Sequence, residues 1–219
     1  MAAILCIETA TTNCSVALSV SGSVIAFKED YNNQYSHAER LHPYILEVLK
    51  QADVSLNDLD AVAISQGPGS YTGLRIGTSA AKGLCYSLDI PLIAVSTLAS
   101  LARQIQIGSG IIIPMLDARR MEAYTAVYNS NYELLENTKP TLLEANSFEG
   151  YLANGPVHFV GNSNQKFAEI CQHEQAVFAA ESLPSAKELA LLVQEKYAAK
   201  DFADLAYFEP DYLKAFKIG

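Results

Sequence analysis

The segment Gln66-Gly67-Pro68-Gly69-Ser70-Tyr71-Thr72-Gly73-Leu74-Arg75-Ile76-Gly77 constrains the fold of this chain more than any other. It lies between an apolar, strand-like run, Asp60–Ser65, and a run that reads as a helix from Ser70 to Leu88. A glycine-rich turn from strand to helix lets the backbone approach another group closely, and the amides that open a helix attract anions. The residues do not make a P-loop, which needs Gly-x-x-x-x-Gly-Lys-Ser/Thr, nor do they make Gly-x-Gly-x-x-Gly. Anion binding and a tight packing turn therefore both stay open. Within the helix, Gly73, Gly77 and Ala81 recur at i, i+4 and i+8, with Ala80 and Gly83 beside them. Each interior glycine costs about 1 kcal/mol relative to alanine. Something must approach this line closely, either the protein's own sheet or a helix of another subunit.

The rest of the chain alternates strands and helices. Ala3–Glu8, Ser15–Val20 and Val24–Glu29 read as three consecutive strands. A helix over Ser36–Gln51 follows. Ser36 and Glu39 have capping-box spacing, and Leu41, Tyr44, Ile45, Val48 and Leu49 fall on one face. Pro43 is expected to kink that helix or delay its regular start. Strand Pro91–Val95 and a helix from Ser96-Thr97 to Gln106 complete the first half, and Gly108-Ser109-Gly110 marks a boundary. After it the plan restarts with strands Ile111–Asp117, Glu122–Tyr128 and Tyr132–Lys139, helix Ser147–Ala153, strand Val157–Val160 and helix Asn164–Cys171. A last helix runs from Ser185 to Ala199. The expectation is a duplicated mixed-sheet α/β module, with one lobe over 1–108 and a second over 109–219. The C-terminal tail could pack back on the first lobe.

Composition narrows the function. With 24 acidic and 15 basic side chains the net charge is −9, so the chain is a poor candidate for gripping a phosphate backbone unaided. No apolar run reaches the roughly 20 residues that span a bilayer, and the N-terminal residues lack a basic, then apolar, leader pattern. A soluble, cytoplasmic protein without membrane contact is expected. Cys6, Cys14, Cys85 and Cys171 are far apart and read as reduced, mostly buried thiols. His37 and His42 are five apart, about 140° around a helix, which suits polar or interface histidines better than a shared metal. His158 and His173 have no ligand-like spacing. Asp117 and Glu122 could form a carboxylate pair, but Arg119 and Arg120 between them make ion pairing or an interface equally natural.

Gly67–Gly77 resembles the Gly-Pro-Gly-Ser-Phe-Thr-Gly-Leu-Arg-Ile-Gly signature of the bacterial TsaB (YeaZ) family, with Tyr71 in place of the Phe. Ser36-His37-Ala38-Glu39-Arg40-Leu41 is similar to that family's Ser-His-Ser-Glu-Arg-Leu. Asp117-Ala118-Arg119-Arg120-Met121-Glu122-Ala123-Tyr124 is similar to its Asp-Ala-Arg-Arg-x-Glu-Val-Tyr, and Ile7-Glu8-Thr9-Ala10 matches as well. The resemblance implies the two-lobed actin-like, sugar-kinase-like (ASKHA) fold. It implies a non-catalytic subunit of the complex that makes threonylcarbamoyladenosine beside the anticodon of tRNAs reading codons that begin with adenosine. The implied partners are a TsaD-like transferase and a TsaE-like ATPase, with tRNA met only through the complex and a homodimer in isolation. No catalytic residue, cofactor or metal is expected in this chain. The family's partner contact, carried over to the first-lobe helices, would fall on His37, Leu41, Tyr44, Val48, Gly73, Arg75, Gly77 and Ala81. In ATP-using relatives of the fold the first hairpin carries an Asp-x-Gly-Thr-Thr-like turn. Here Ala10 occupies the glycine place and the second hairpin, Asp117–Glu122, has no glycine, which argues against an ATP clamp. The rival readings are an ATP-dependent phosphotransferase of the same fold and a metallopeptidase-like protein, although the His-x-x-x-His pair of TsaD is missing.

Overall fold

The computed structural model describes residues 2–31 and 36–214. It contains two five-stranded mixed sheets of the same topology. The first is built from β1 (Ala3–Glu8), β2 (Cys14–Val20), β3 (Ser23–Asp30), β4 (Ala61–Gly67) and β5 (Leu92–Ser96), in the order β3-β2-β1-β4-β5. The second uses β6 (Ile111–Asp117), β7 (Glu122–Asn129), β8 (Leu134–Leu142), β9 (Val157–Gly161) and β10 (Ala176–Phe178), in the order β8-β7-β6-β9-β10. In each sheet the first three strands pair antiparallel and the last two run parallel to the first. The duplication expected from the sequence is therefore present strand by strand. The helices are α1 (His37–Ala52), α2 (Tyr71–Leu88), α3 (Thr97–Ala102), α4 (Glu149–Leu152), α5 (Asn164–Ala168) and α6 (Ala186–Ala198).

The chain up to Ser100, together with the segment from Pro184 onward, forms one compact unit, and Leu101–Leu183 forms the other. The division thus differs from the single break at 108/109 expected from Gly108-Ser109-Gly110. The reason is α6, which packs on the first sheet. Strand alternation explains how. In β1, Leu5 and Ile7 point to one face of the sheet with Val16, Leu18, Val62 and Ile64, where α1 and α2 cover them. Ile4 and Cys6 point to the other face with Ala17, Ala61, Ala63, Ile93 and Val95. Small residues on that face admit α6, whose Ala186, Leu189, Ala190 and Val193 recur at i, i+3, i+4 and i+7 and are fully buried. Every residue of β1 is buried for this reason, and its sequence is apolar from Ala3 to Ile7 rather than alternating, with Glu8 at its end.

In the second unit, Ile113, Met115, Ala123, Val127, Val157 and Phe159 face Leu152 of α4 and Phe167 of α5. Phe159 and Phe167 meet edge to face with centroids 5.1 Å apart.

Local expectations need several corrections. Ser36 does not close a capping box: its hydroxyl donates to the Asp30 carboxylate at 3.3 Å, because the end of β3 supplies a charged acceptor within reach. Pro43 does not delay α1, which starts at His37 and runs through it with the proline on the exposed face. The helix after β5 stops at Ala102 rather than Gln106, and the Gln104 side chain instead donates to the Leu183 carbonyl at 2.7 Å. The third strand of the second sheet starts at Leu134 because Tyr132, at φ 62°, belongs to the turn.

Candidate functional site

The glycine-rich segment is built to receive the β1–β2 turn. After β4 the peptide Gly67–Pro68 is cis and Gly67 has φ 113°, a backbone suited to glycine. The Ser70 amide donates to the Ala10 carbonyl at 2.6 Å, and the Ser70 hydroxyl caps α2 by accepting from the Gly73 amide at 3.3 Å. A Cβ on Gly69 would overlap Ala10, one on Gly73 the Thr9 carbonyl oxygen, and one on Gly77 the Thr9 hydroxyl. That hydroxyl donates to the Gly73 carbonyl at 2.8 Å. His37, at the start of α1, closes the turn from the other side, its Nε2–H donating to the Thr11 carbonyl at 2.7 Å. Burial lowers the His37 pKa, with the Thr11 bond and Asp30 opposing.

Glu8 lies under this turn with no solvent exposure. Its carboxylate accepts the Ala10 amide at 2.6 Å and the Ser65 hydroxyl. Burial pushes its pKa up to about 7, the Ser65, Ala10 and Thr9 hydrogen bonds pull it down, and nearby Glu188 of α6 adds to the rise. The polar groups of the turn (Glu8, Thr9, the Ala10 and Thr11 carbonyls) are thus engaged by the fold itself. The cysteines are all buried and free. Burial pushes the thiol of Cys14 up to about 12 and that of Cys85 to about 11, far from nucleophilic range. Among the described residues no three His, Cys, Asp or Glu side chains come together as a metal site. No helix there is long and apolar enough to cross a membrane.

Of the eight residues expected at a partner interface, the fold buries seven. Leu41, Tyr44, Val48 and Ala81 belong to the core between the two helices and the first sheet. His37, Gly73 and Gly77 pack on the β1–β2 turn. The small-residue line is thereby corrected from a shallow outer surface to an inner one: Thr9 is the group that needs it. Only Arg75 is exposed. Its guanidinium lies 3.9 Å from the Tyr71 ring centroid and donates to the hydroxyls of Tyr71 and Tyr212. The C-terminal segment is fastened along the same helix. Lys82 donates to the Ala206 and Phe208 carbonyls at 3.2 and 3.1 Å, and the Asp211 amide donates to the Gln66 carbonyl at 2.7 Å.

The outward faces of α1 and α2 carry two large apolar residues, Leu46 and Tyr86, that the sequence pattern did not single out. Leu46 is 63% exposed and Tyr86 is 84% exposed, with His42, Arg75 and Ser79 also facing solvent. Leu46 follows Ile45 and falls outside the buried i, i+3, i+4 pattern of α1. That offset was the available signal.

A family model described as TsaD, tRNA N6-adenosine threonylcarbamoyltransferase, matches residues 32–218. The Bacillus subtilis tRNA threonylcarbamoyladenosine biosynthesis protein TsaB is 35% identical over 219 residues, covering 96% of this chain and 93% of that protein. The solved structure of YeaZ from Pseudomonas aeruginosa superposes with a TM-score of 0.85 at 28% identity, over 97% of this chain and 100% of that one. The Clostridium difficile activator of 2-hydroxyisocaproyl-CoA dehydratase, solved with bound ADPNP, has a TM-score of 0.52 at 12% identity. It covers 92% of this chain and 98% of that one, and the likeness is one of fold alone.

Proposed function

The chain belongs to the TsaB (YeaZ) family of tRNA threonylcarbamoyladenosine biosynthesis proteins, with the actin-like, sugar-kinase-like α/β fold, and on that premise we propose that it is the non-catalytic subunit of the modifying complex. Its task is differential binding: it docks a TsaD-like transferase, favours that partner's competent conformation and helps complete a surface for tRNA. A TsaE-like ATPase joins the pair, tRNA is held through the complex, and the complex works in the cytoplasm. The observation that carries the non-catalytic reading is the turn under Gly69–Gly77. Ala10, where an ATP-using hairpin carries glycine, is buried against Gly69, and Glu8, at the place of the metal-organising acid, is fully buried with its carboxylate held by the Ala10 amide and the Ser65 hydroxyl. ATP should accordingly bind no tighter than about 1 mM, as read by calorimetry with magnesium.

The docking face we assign to the outward sides of α1 and α2, which cover the same face of the first sheet and expose Leu46 and Tyr86 there. Exposed large apolar groups beside polar ones are typical of protein contacts. Without the transferase the same face would pair with a second copy, since a two-fold contact needs only self-complementarity. The test is size-exclusion with light scattering, with and without the TsaD-like partner, on the wild type and on Leu46→Asp/Tyr86→Asp. The variant should melt like the wild type and fail to assemble. A folded variant that assembles normally places the interface elsewhere.

A further inference from the structure

The chain has five arginines. Three are used by the fold: Arg40 pairs with the Asp30 carboxylate at 2.7 Å, Arg75 binds Tyr71 and Tyr212, and Arg103 stacks 4.0 Å from the centroid of Tyr132. Arg119 and Arg120 differ. They stand side by side in the β6–β7 turn, both exposed, and among the described residues neither guanidinium has an ion pair, side-chain hydrogen bond or ring partner.

The acid next to them does not neutralise them. The Lys166 ammonium takes the Asp117 carboxylate and also donates to the carbonyls of Arg120 at 3.0 Å and Glu122 at 2.6 Å. The Asp117 amide donates to the Asn162 side chain at 2.8 Å, so the base of the turn is fixed from a second loop. The backbone sets how they are presented. Arg119 has φ 70° and Arg120 φ 53°, the left-handed region that glycine, asparagine and aspartate adopt most readily. Other turns of this chain hold such a backbone without glycine, Ser21, Tyr132 and Lys200 among them, so the conformation bears on where the two side chains leave the turn. This one carries two arginines, pinned in place and left unpaired on a chain whose net charge is −9.

A guanidinium is a planar fork that meets a phosphate through two parallel hydrogen bonds, and it stays charged at any working pH. We infer that the Arg119–Arg120 turn is a contact for the phosphodiester backbone of RNA, two phosphate contacts without base readout. The inference deepens the reading above and rests on it. The chain's overall charge repels RNA at long range, so the turn acts at short range, on an RNA that a partner already holds.

The experiment is equilibrium binding of a tRNA transcript to the chain mixed with its TsaD-like partner, between about 50 and 200 mM salt. Arg119→Gly/Arg120→Gly removes both charges and suits the left-handed backbone, so it should melt no lower than the wild type. We expect a roughly tenfold weaker affinity and a salt slope (log K against log salt) shallower by about 1.4 to 1.8, for two contacts. Assembly with the partner, read by light scattering on the same samples, should be unchanged. Arg119→Lys/Arg120→Lys should recover most of the slope. An unchanged slope with intact assembly overturns the RNA contact and leaves the family reading standing. Loss of assembly in the glycine variant makes the turn a protein contact and overturns the proposal. If the wild type itself does not assemble, the docking reading fails instead. The slope measured on the chain alone at higher RNA concentration then decides the turn, and equality with the glycine variant overturns it.

Discussion

The ionisation of Glu8 bears directly on the stability of the fold. It is fully buried and its pKa is pushed up to about 7, against about 4.5 for a free glutamate. A carboxyl with a raised folded-state pKa imposes no penalty below pH 4.5, where both states are protonated. Stability is lost as pH rises from there to about 7 and is level above. The shift corresponds to about 3 kcal/mol. Glu8→Gln keeps an oxygen for the Ala10 amide and offers an amide to the Ser65 hydroxyl, so it should remove that loss. Because the lowered pKa of His37 works in the opposite direction, the quantity to follow is the difference between wild type and Glu8→Gln in urea unfolding at pH 5 and pH 8. A pH-independent difference would show that Glu8 does not titrate there. Gly77 makes a second residue-scale case. Gly77→Ala drives a methyl into the Thr9 hydroxyl and should cost about 1–3 kcal/mol of stability. Assembly of the folded fraction should not change. Removing the obstacle in Thr9→Ala/Gly77→Ala should return part of the loss, a coupling that a double-mutant cycle measures.

At the scale of elements, the strands were legible and the destination of one helix was not. β1 and β6 could be read to the residue because a continuous apolar run bounded by polar turns has few alternatives. β10 was missed: three residues, Ala176–Phe178, give no period to detect. The apolar stripe of α6 says that one face is buried but not against which sheet, and the same limit applied to α2. The glycine line declared a close approach, while its partner, Thr9, lies 64 residues earlier in the chain. Long-range pairing of that kind leaves no local mark, which is why Gly73 and Gly77 read equally well as an outer contact line. Leu189→Ala on α6 should therefore destabilise the first unit by about 2–5 kcal/mol. Hydrogen exchange should show the loss in β1 and β4 and spare β6 and β9; equal loss in both sheets would contradict the assignment of α6. The edge strand β8 shows how exposure is managed. Two register irregularities, Lys139 and Pro140 make it a poor template for another strand despite exposed Leu134 and Leu142.

At the scale of the whole molecule, duplication, family and acidity could all be read from the residues, whereas the unit to which α6 belongs could not. The glycines at 108 and 110 mark a real turn, Gly110 having φ 100°, yet the unit boundary lies elsewhere because it is set by what α6 covers. The first unit is interrupted: its sheet is complete by Ser96, but one face waits for residues beyond Pro184. During synthesis this becomes a matter of time. The 83 residues from Leu101 to Leu183 must be added first. At about 5–20 residues per second that takes about 4–17 s. Throughout it the Ile4, Cys6, Ala63 and Ile93 face has no helix of its own to cover it. The ribosome, a chaperone or a neighbouring nascent chain is the surface most at hand. Nascent chains stalled at residue 183 should be cut by protease within β1–β4, and chains released at full length should resist. The last helix made thus decides when the first sheet made becomes safe.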